Sequence, residues 1–148
     1  VLQLADVLIG TEDELHAALD PEAEARVRDA EVTDADHLAL DARLDGLEGE
    51  GTVGTIIIKR GSRGATVVTA DGRSDVPGFS VEAVNTVGAG DAFAAGLIRS
   101  RLAGWDWTRA TRYANACGSI QVTRHGCSAV FPTGAEVDDF IERQGVTR

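Results

Sequence analysis

Two glycines and an aspartate stand together in the segment VNTVGAGDAFAAG, where Gly88-Ala89-Gly90 precede Asp91. Glycines let a backbone approach a ligand closely, and the first N–H groups of a helix attract an anion at the positive end of the helix dipole. A carboxylate beside such a turn could take a proton from an attacking hydroxyl group. This combination suits phosphoryl transfer, although the aspartate could also simply cap the helix.

The turn needs an extended segment before it and a helix after it. We expect a strand to end near Val84 and a helix to begin around Asp91, within a helical stretch from Ala89 to Ala103. A second helical stretch is expected from Thr108 to about Arg124. A last helix should follow Thr133 as its N-cap, with an apolar face formed by Val137, Phe140 and Ile141.

The first half of the chain carries further helix and strand signals. Residues 1–9 are apolar enough for a buried strand, and Thr11 with Glu14 has the spacing of a capping box at a helix start. Residues 20–50 are acidic and alanine-rich, which predicts a helix with a solvated face. Residues 56–58 are three isoleucines in a row, which predicts a strand buried on both faces. A hairpin with Asp71-Gly72 as its turn should follow.

Composition limits the kinds of function that fit. The chain has 148 residues, 43% of them hydrophobic, and a net charge of −10, which predicts one layered α/β domain. That charge argues against a nucleic acid or an anionic membrane as partner. Because no long apolar run or basic leader is present, we expect a cytoplasmic protein. The chain begins with Val1 and contains no methionine, so we expect it to be part of something longer, and its two cysteines should be free and buried.

The segment NTVGAGDAFAAG resembles the second signature of the ribokinase-like sugar kinases, the PfkB family, commonly written D-T-x-G-A-G-D-x-F. The resemblance implies a ribokinase-like layered α/β/α fold, of which residues 1–148 would be the C-terminal, ATP-binding part without the N-terminal substrate-binding part. It also implies that Gly88, Ala89 and Gly90 form an anion hole for the γ-phosphate. Asp91 would be the base that deprotonates the sugar hydroxyl.

Two further segments resemble the family in the expected order. ADVLIGTEDEL is similar to D-x-x-x-x-N-x-x-E, which implies that Glu14 supports the Mg²⁺ shell indirectly; Thr11 replaces the asparagine, and a plain capping box remains the alternative. IIIKRGSRGA resembles the strand and turn beneath the ATP phosphates, which implies that Lys59, Gly61 and Gly64 contact the nucleotide. Taken alone, this second segment is also compatible with a common β-turn.

The closing segment RYANACGSIQVTRHGCSAVFPT resembles the family's last helix and loop. The resemblance implies that Asn115 lies near the adenine. It also implies that the turn at Gly126 forms part of the wall of the nucleotide site and, in many members, of the site for a monovalent cation such as K⁺. Asn85 stands where the family usually has an aspartate and is the candidate ligand of that cation. Because an asparagine offers only a neutral oxygen, the need for K⁺ is left open.

These resemblances imply an ATP- and Mg²⁺-dependent kinase that phosphorylates a small sugar or sugar acid, with neither nucleic acid nor membrane as partner. Within the family, GWDW, NACG and RHGC followed by FPT are most similar to the 5-dehydro-2-deoxygluconokinase branch of inositol catabolism. A 2-keto-3-deoxygluconate kinase and a non-catalytic nucleotide-binding module are the alternatives. The full-length enzyme could be a homodimer, and the chain alone is expected to be inactive.

Overall fold

The computed structural model describes residues 5–19 and 54–146. Four strands and four helices lie in these ranges: β1 (Val7–Thr11), α1 (Glu12–Leu19), β2 (Thr55–Lys59), β3 (Gly64–Thr69), β4 (Gly72–Pro77), α2 (Ala89–Leu102), α3 (Trp107–Val122) and α4 (Gly134–Val146). The strands form one sheet in the order β1-β2-β3-β4. The α/β class is therefore confirmed, whereas the helix expected at residues 20–50 lies outside the described residues.

The isoleucine strand and the hairpin are confirmed, whereas the buried strand expected within residues 1–9 is β1 at Val7–Thr11, which is mostly half-buried. β1 runs parallel to β2, with Ile9 opposite Ile57, and Ile56 to Ile58 are at most 2% exposed. β3 and β4 are neighbours joined by the two-residue turn Ala70-Asp71, one residue earlier than the predicted Asp71-Gly72, because Gly72 is already the first residue of β4. Consecutive β-branched residues suit a strand that is covered on both faces, because neither face has to be polar.

The chain divides into two compact units. The first holds β1, α1, β2 and Thr66–Ser74, and the second holds Gly61–Ala65 and the chain from Asp75 onward. The first unit has an apolar core of Leu15, Ile56, Ile58 and Val68. α1 begins with the predicted capping box: the Thr11 N–H donates to Glu14 Oε2 at 2.7 Å, and the Glu14 N–H donates to Thr11 Oγ1 at 3.2 Å.

The second unit is built on helix packing. A Cβ added to Gly96 of α2 would lie only 2.6 Å from Cys117 Sγ of α3, so the small residue allows close contact between these helices. Against α3, the predicted apolar face of α4 packs through Val137, Phe140 and Ile141. The N-terminus of α4 is capped as expected, since the Glu136 N–H donates to Thr133 Oγ1 at 3.4 Å.

Two further local expectations are wrong. The run before the glycine turn is not a strand, because β4 ends at Pro77 and the N–H groups of Val84 and Asn85 both donate to the carbonyl of Val122 at the end of α3. α2 spans Ala89–Leu102, as the predicted helical stretch from Ala89 to Ala103 requires, and it begins two residues before Asp91 because the left-handed backbone of Gly88 ends the loop there. Cys127 is exposed, whereas Cys117 is buried as expected. No helix in the described ranges is long and apolar enough to cross a bilayer.

Candidate active site

Gly88 forms the turn that precedes α2 and acts as its N-cap. Its φ of 80° lies in the left-handed region, and an added Cβ would lie 3.0 Å from Cys127 Sγ and 3.2 Å from the ring of Phe131. Both the backbone angle and the packing therefore require glycine here. Because glycine has no side chain, it cannot accept hydrogen bonds from the first N–H groups of α2, which remain directed toward the helix start.

Asp91 is the third residue of α2 and its side chain is exposed to solvent. It is therefore not the N-cap, since Gly88 holds that position. The Ala89 N–H already donates to the carbonyl of Thr86 at 3.2 Å, so Gly90 and Asp91 are the next donors along the helix. One helical turn thus presents backbone donors, the positive end of the helix dipole and an accessible carboxylate.

A pair of side-chain amides connects this turn to the loop after α3. Asn85 Nδ2 and Gln121 Nε2 both donate to the carbonyl oxygen of Gly126, each at 3.1 Å. Gln121 Nε2 also donates to the carbonyl of Val87 at 3.2 Å. Gln121 is fully buried, and sequence reasoning missed it. The available signal was a glutamine among the largely apolar residues on the buried side of an amphipathic helix.

Asn115 connects α3 to the end of β4. Its side-chain Nδ2 is buried and donates to the carbonyls of Val76 and Pro77 at 3.1 and 3.2 Å. The predicted glycine turn contacts the same segment, because a Cβ on Gly64 would lie 2.2 Å from the carbonyl oxygen of Val76. Gly64 has a φ of 96° and Gly61 one of 58°. Asn115 and the glycine turn are thus brought together through residues 76–78.

In the first unit, the structure brings Glu14 and Lys59 together. Lys59 Nζ lies 3.3 Å from Glu14 Oε2. The pKa of Glu14 is lowered, first by the hydrogen bond from the Thr11 backbone N–H and further by the charge of Lys59. Next to this pair, Arg60 Nε lies 3.2 Å from Glu12 Oε1. The last residue of β2, Lys59, and the next residue, Arg60, therefore each face an acidic residue in the first turn of α1.

The described residues offer few ligands for magnesium. Glu14 supplies an ionised carboxylate, but no three acidic, histidine or cysteine side chains gather into a metal cage within residues 5–19 and 54–146. A single carboxylate does not suit a dedicated protein cage. It does suit Mg²⁺ that keeps several waters and takes its other ligands from substrate phosphates. Glu14 is compatible with the indirect role expected of it, which stays a prediction.

A sequence model described as pfkB family carbohydrate kinase matches residues 1–134, which is most of the chain. The chain belongs to the pfkB family. Curated relatives agree: an ATP-dependent ribose-1-phosphate kinase from Halopiger xanaduensis is 38% identical over 143 residues, and a 5-dehydro-2-deoxygluconokinase from Geobacillus kaustophilus is 32% identical over 139 residues. These matches cover 97% and 93% of this pfkB chain but only 41% and 38% of the relatives. The chain thus spans about two-fifths of their length.

Solved structures place this pfkB chain in the ribokinase fold. A protein from E. coli assigned as ribokinase II, in complex with ATP and Mg²⁺, matches with a TM-score of 0.72 and 32% identity over 96% of this chain and 41% of that one. A fructokinase double mutant from Vibrio cholerae O395 bound to fructose, ADP and a potassium ion matches with a TM-score of 0.70 and 25% identity over 94% and 41%. The predicted family and fold are therefore confirmed.

Proposed function

We propose that this chain is the ATP-binding part of a sugar kinase that transfers the γ-phosphoryl group of ATP to a hydroxyl group of a small sugar or sugar acid. The observation that carries the proposal is the start of α2. There, a left-handed glycine N-cap, backbone donors and the exposed carboxylate of Asp91 lie within one helical turn. Family membership and the length of the relatives support the assignment to one part of a longer enzyme.

The chemistry divides between backbone and side chain. The N–H groups of Gly90 and Asp91, at the positive end of α2, would stabilise negative charge on the phosphoryl oxygens as the bond to the leaving oxygen breaks. The Asp91 carboxylate would accept the proton of the attacking hydroxyl as its oxygen bonds to phosphorus. Gly88 would contribute by having no side chain, since a Cβ there would press on Cys127 and Phe131.

ATP is the second substrate in this proposal. Lys59, Gly61, Gly64 and Asn115 would contact the nucleotide, and Glu14 would orient the Mg²⁺ shell through water. Bound Mg²⁺ supplies charge neutralisation for the phosphates. The ATP and Mg²⁺ complex of the E. coli protein supports this choice of ligands. Lys59 pairs with Glu14, and its ammonium group would also interact with the phosphates of ATP.

For the acceptor, we propose 5-dehydro-2-deoxygluconate, on the likeness of the closing segment and of the Geobacillus relative. A second candidate is ribose 1-phosphate, because the relative with 38% identity carries that activity in its name. 2-Keto-3-deoxygluconate is a third candidate acceptor.

We also propose that the enzyme is cytoplasmic and that it is a homodimer at full length. The chain alone should show no turnover, since positioning both substrates can account for about 7–11 kcal/mol of the barrier.

The proposal is tested by Asp91→Asn in the full-length protein. Turnover should fall by roughly 10²–10⁴-fold while ATP affinity and folding are retained, because only the proton acceptor is lost. Asp106→Asn is the matched control: it makes the same chemical change at another exposed helix start, where Asp106 is the N-cap of α3 and accepts from the Arg109 N–H at 2.8 Å. Asparagine caps helices as well as aspartate does, so the control should keep full turnover.

A coupled assay for ADP, with Mg·ATP and each of the three acceptors in turn, identifies the substrate. The same assay distinguishes a kinase from a nucleotide-binding module. Acceptor-dependent ADP release supports a kinase and names its sugar. Tight ATP binding without ADP release from any acceptor would instead favour the non-catalytic nucleotide-binding module. Near-full turnover by Asp91→Asn would rule out the assignment of the base.

A further inference from the structure

The carbonyl oxygen of Gly126 is the meeting point of two loops in the second unit. It accepts hydrogen bonds from Asn85 Nδ2 and from Gln121 Nε2, both at 3.1 Å. A carbonyl oxygen has two lone pairs, so both of its acceptor positions are used by side-chain amides. The same Nε2 donates to the carbonyl of Val87, so Gln121 joins the segment before Gly88 to the loop after α3.

These loops are where the family resemblance would put a monovalent cation, and the fructokinase neighbour is described as bound to potassium. A cation of this kind is held by oxygen lone pairs that replace its hydration shell. Here Asn85 Oδ1 accepts from the Val87 N–H at 3.1 Å, Val87 O accepts from Gln121, and Gly126 O accepts twice. These three oxygens each accept from an N–H donor, and the amide hydrogens of Asn85 and Gln121 that reach the two carbonyls would repel a cation, so this set of residues does not fit a bound cation.

The orientation of the Gln121 amide follows from its surroundings. Rotating it by half a turn would place Oε1 against the carbonyl oxygens of Val87 and Gly126, which would repel it. The side chain keeps Nε2 on both carbonyls even though it is fully buried and Oε1 has no hydrogen-bond partner within the described part of the chain. The two donated bonds therefore determine how this side chain sits.

We propose that the side-chain amides of Asn85 and Gln121 take the place of a monovalent cation in this protein, so that its phosphoryl transfer does not depend on K⁺. Gln121 is a positioning residue in this scheme. It acts through Val87, whose carbonyl it holds one residue before the Gly88 turn. The consequence for catalysis rests on the proposed kinase function, whereas the consequence for cation binding does not.

The first test compares KCl, NaCl and choline chloride at equal ionic strength on the full-length protein. Turnover should differ by less than about twofold between the salts, well below the roughly 5–150-fold coupling typical of an effector that binds a second site. The midpoint of thermal unfolding should also be the same in all three, because a ligand that binds only the folded state raises that midpoint. Activation or stabilisation selective for K⁺ would overturn the proposal.

The second test is Gln121→Glu, which replaces the donated N–H groups by oxygen and brings three oxygens together where a cation could bind. This variant should unfold at a lower temperature than wild type in choline chloride and recover in KCl. Gln144→Glu, the same substitution at an exposed position of α4, is the control and should show no selective recovery. Recovery of the control to the same degree would show a general effect of salt and contradict the proposal.

The outcomes separate the two proposals. If none of the sugars is phosphorylated, the kinase function fails, but the unfolding midpoints still decide whether the protein binds a monovalent cation. If Gln121→Glu does not fold in any salt, the wild-type comparison still decides, because it requires no substitution. Turnover that needs K⁺ would leave the kinase function intact and overturn the role of the two amides.

Discussion

Glu14 and Lys59 form one ion pair, with 3.3 Å between Oε2 and Nζ, although their sequence motifs imply separate roles toward Mg²⁺ and ATP. The same carboxylate oxygen accepts the Thr11 N–H at 2.7 Å. The Glu14 side chain is 61% exposed, so solvent screens the pair and its contribution to stability is small. The ion pair matters because it fixes the positions of the Lys59 ammonium group and the Glu14 carboxylate relative to each other.

Lys59→Met should raise the pKa of Glu14 toward its ordinary value of 4.5 but not all the way, because the larger effect, the Thr11 hydrogen bond, remains. Since the folded pKa is the lower one, Glu14 adds stability above pH 4.5, and this stability is lost as pH falls through the lowered value. NMR titration of the Glu14 carboxyl carbon measures this shift. Arg143→Met, which removes a charge from α4 in the other unit, should leave it unchanged; an unaltered pKa in Lys59→Met would refute the pairing.

Gly88→Ala should weaken ATP binding and destabilise the fold. Alanine at a φ of 80° costs about 1–2 kcal/mol, and its Cβ would also press on Cys127 and Phe131. Gly104 is the matched control, because it too has a φ of 80° but has nothing within 4 Å of an added Cβ. Gly104→Ala should therefore show the backbone cost alone and normal ATP affinity. Calorimetry and thermal unfolding of both variants separate strain from packing, and equal effects would contradict the packing argument.

The two cysteines should differ sharply in reactivity. Burial raises the pKa of Cys117 to about 12, so its thiolate is scarce near neutral pH, whereas Cys127 is exposed. Iodoacetamide should modify only Cys127 in the native protein and both in denaturant, as read by peptide mass spectrometry. Because Cys127 Sγ would lie 3.0 Å from a Cβ on Gly88, the modification should slow turnover. A Cys127→Ser variant should resist inhibition; continued inhibition of that variant would place the sensitive group elsewhere.

Several features could be predicted from the sequence because they depend on neighbours in the chain. The Thr11 and Thr133 capping boxes join residues three apart, the three isoleucines form a strand through their own β-branched shape, and Asp71-Gly72 predicts the hairpin turn to within one residue. The glycine–aspartate motif likewise depends on spacing within one turn of helix. Local sterics and hydrogen bonding are sufficient for each of these.

Other features were decided only by the tertiary structure. Asn85 contacts the loop after α3, and Val87 contacts Gln121 near the end of α3, through hydrogen bonds that span 41 and 34 residues, and Asn115 reaches β4 across 39. No local pattern encodes which distant carbonyl an amide side chain will find, so Gln121 was missed and Asn115 was known only by resemblance. The loop before Gly88 is not a strand for the same reason: its N–H groups pair with the end of α3, and that partner exists only once the helices have packed.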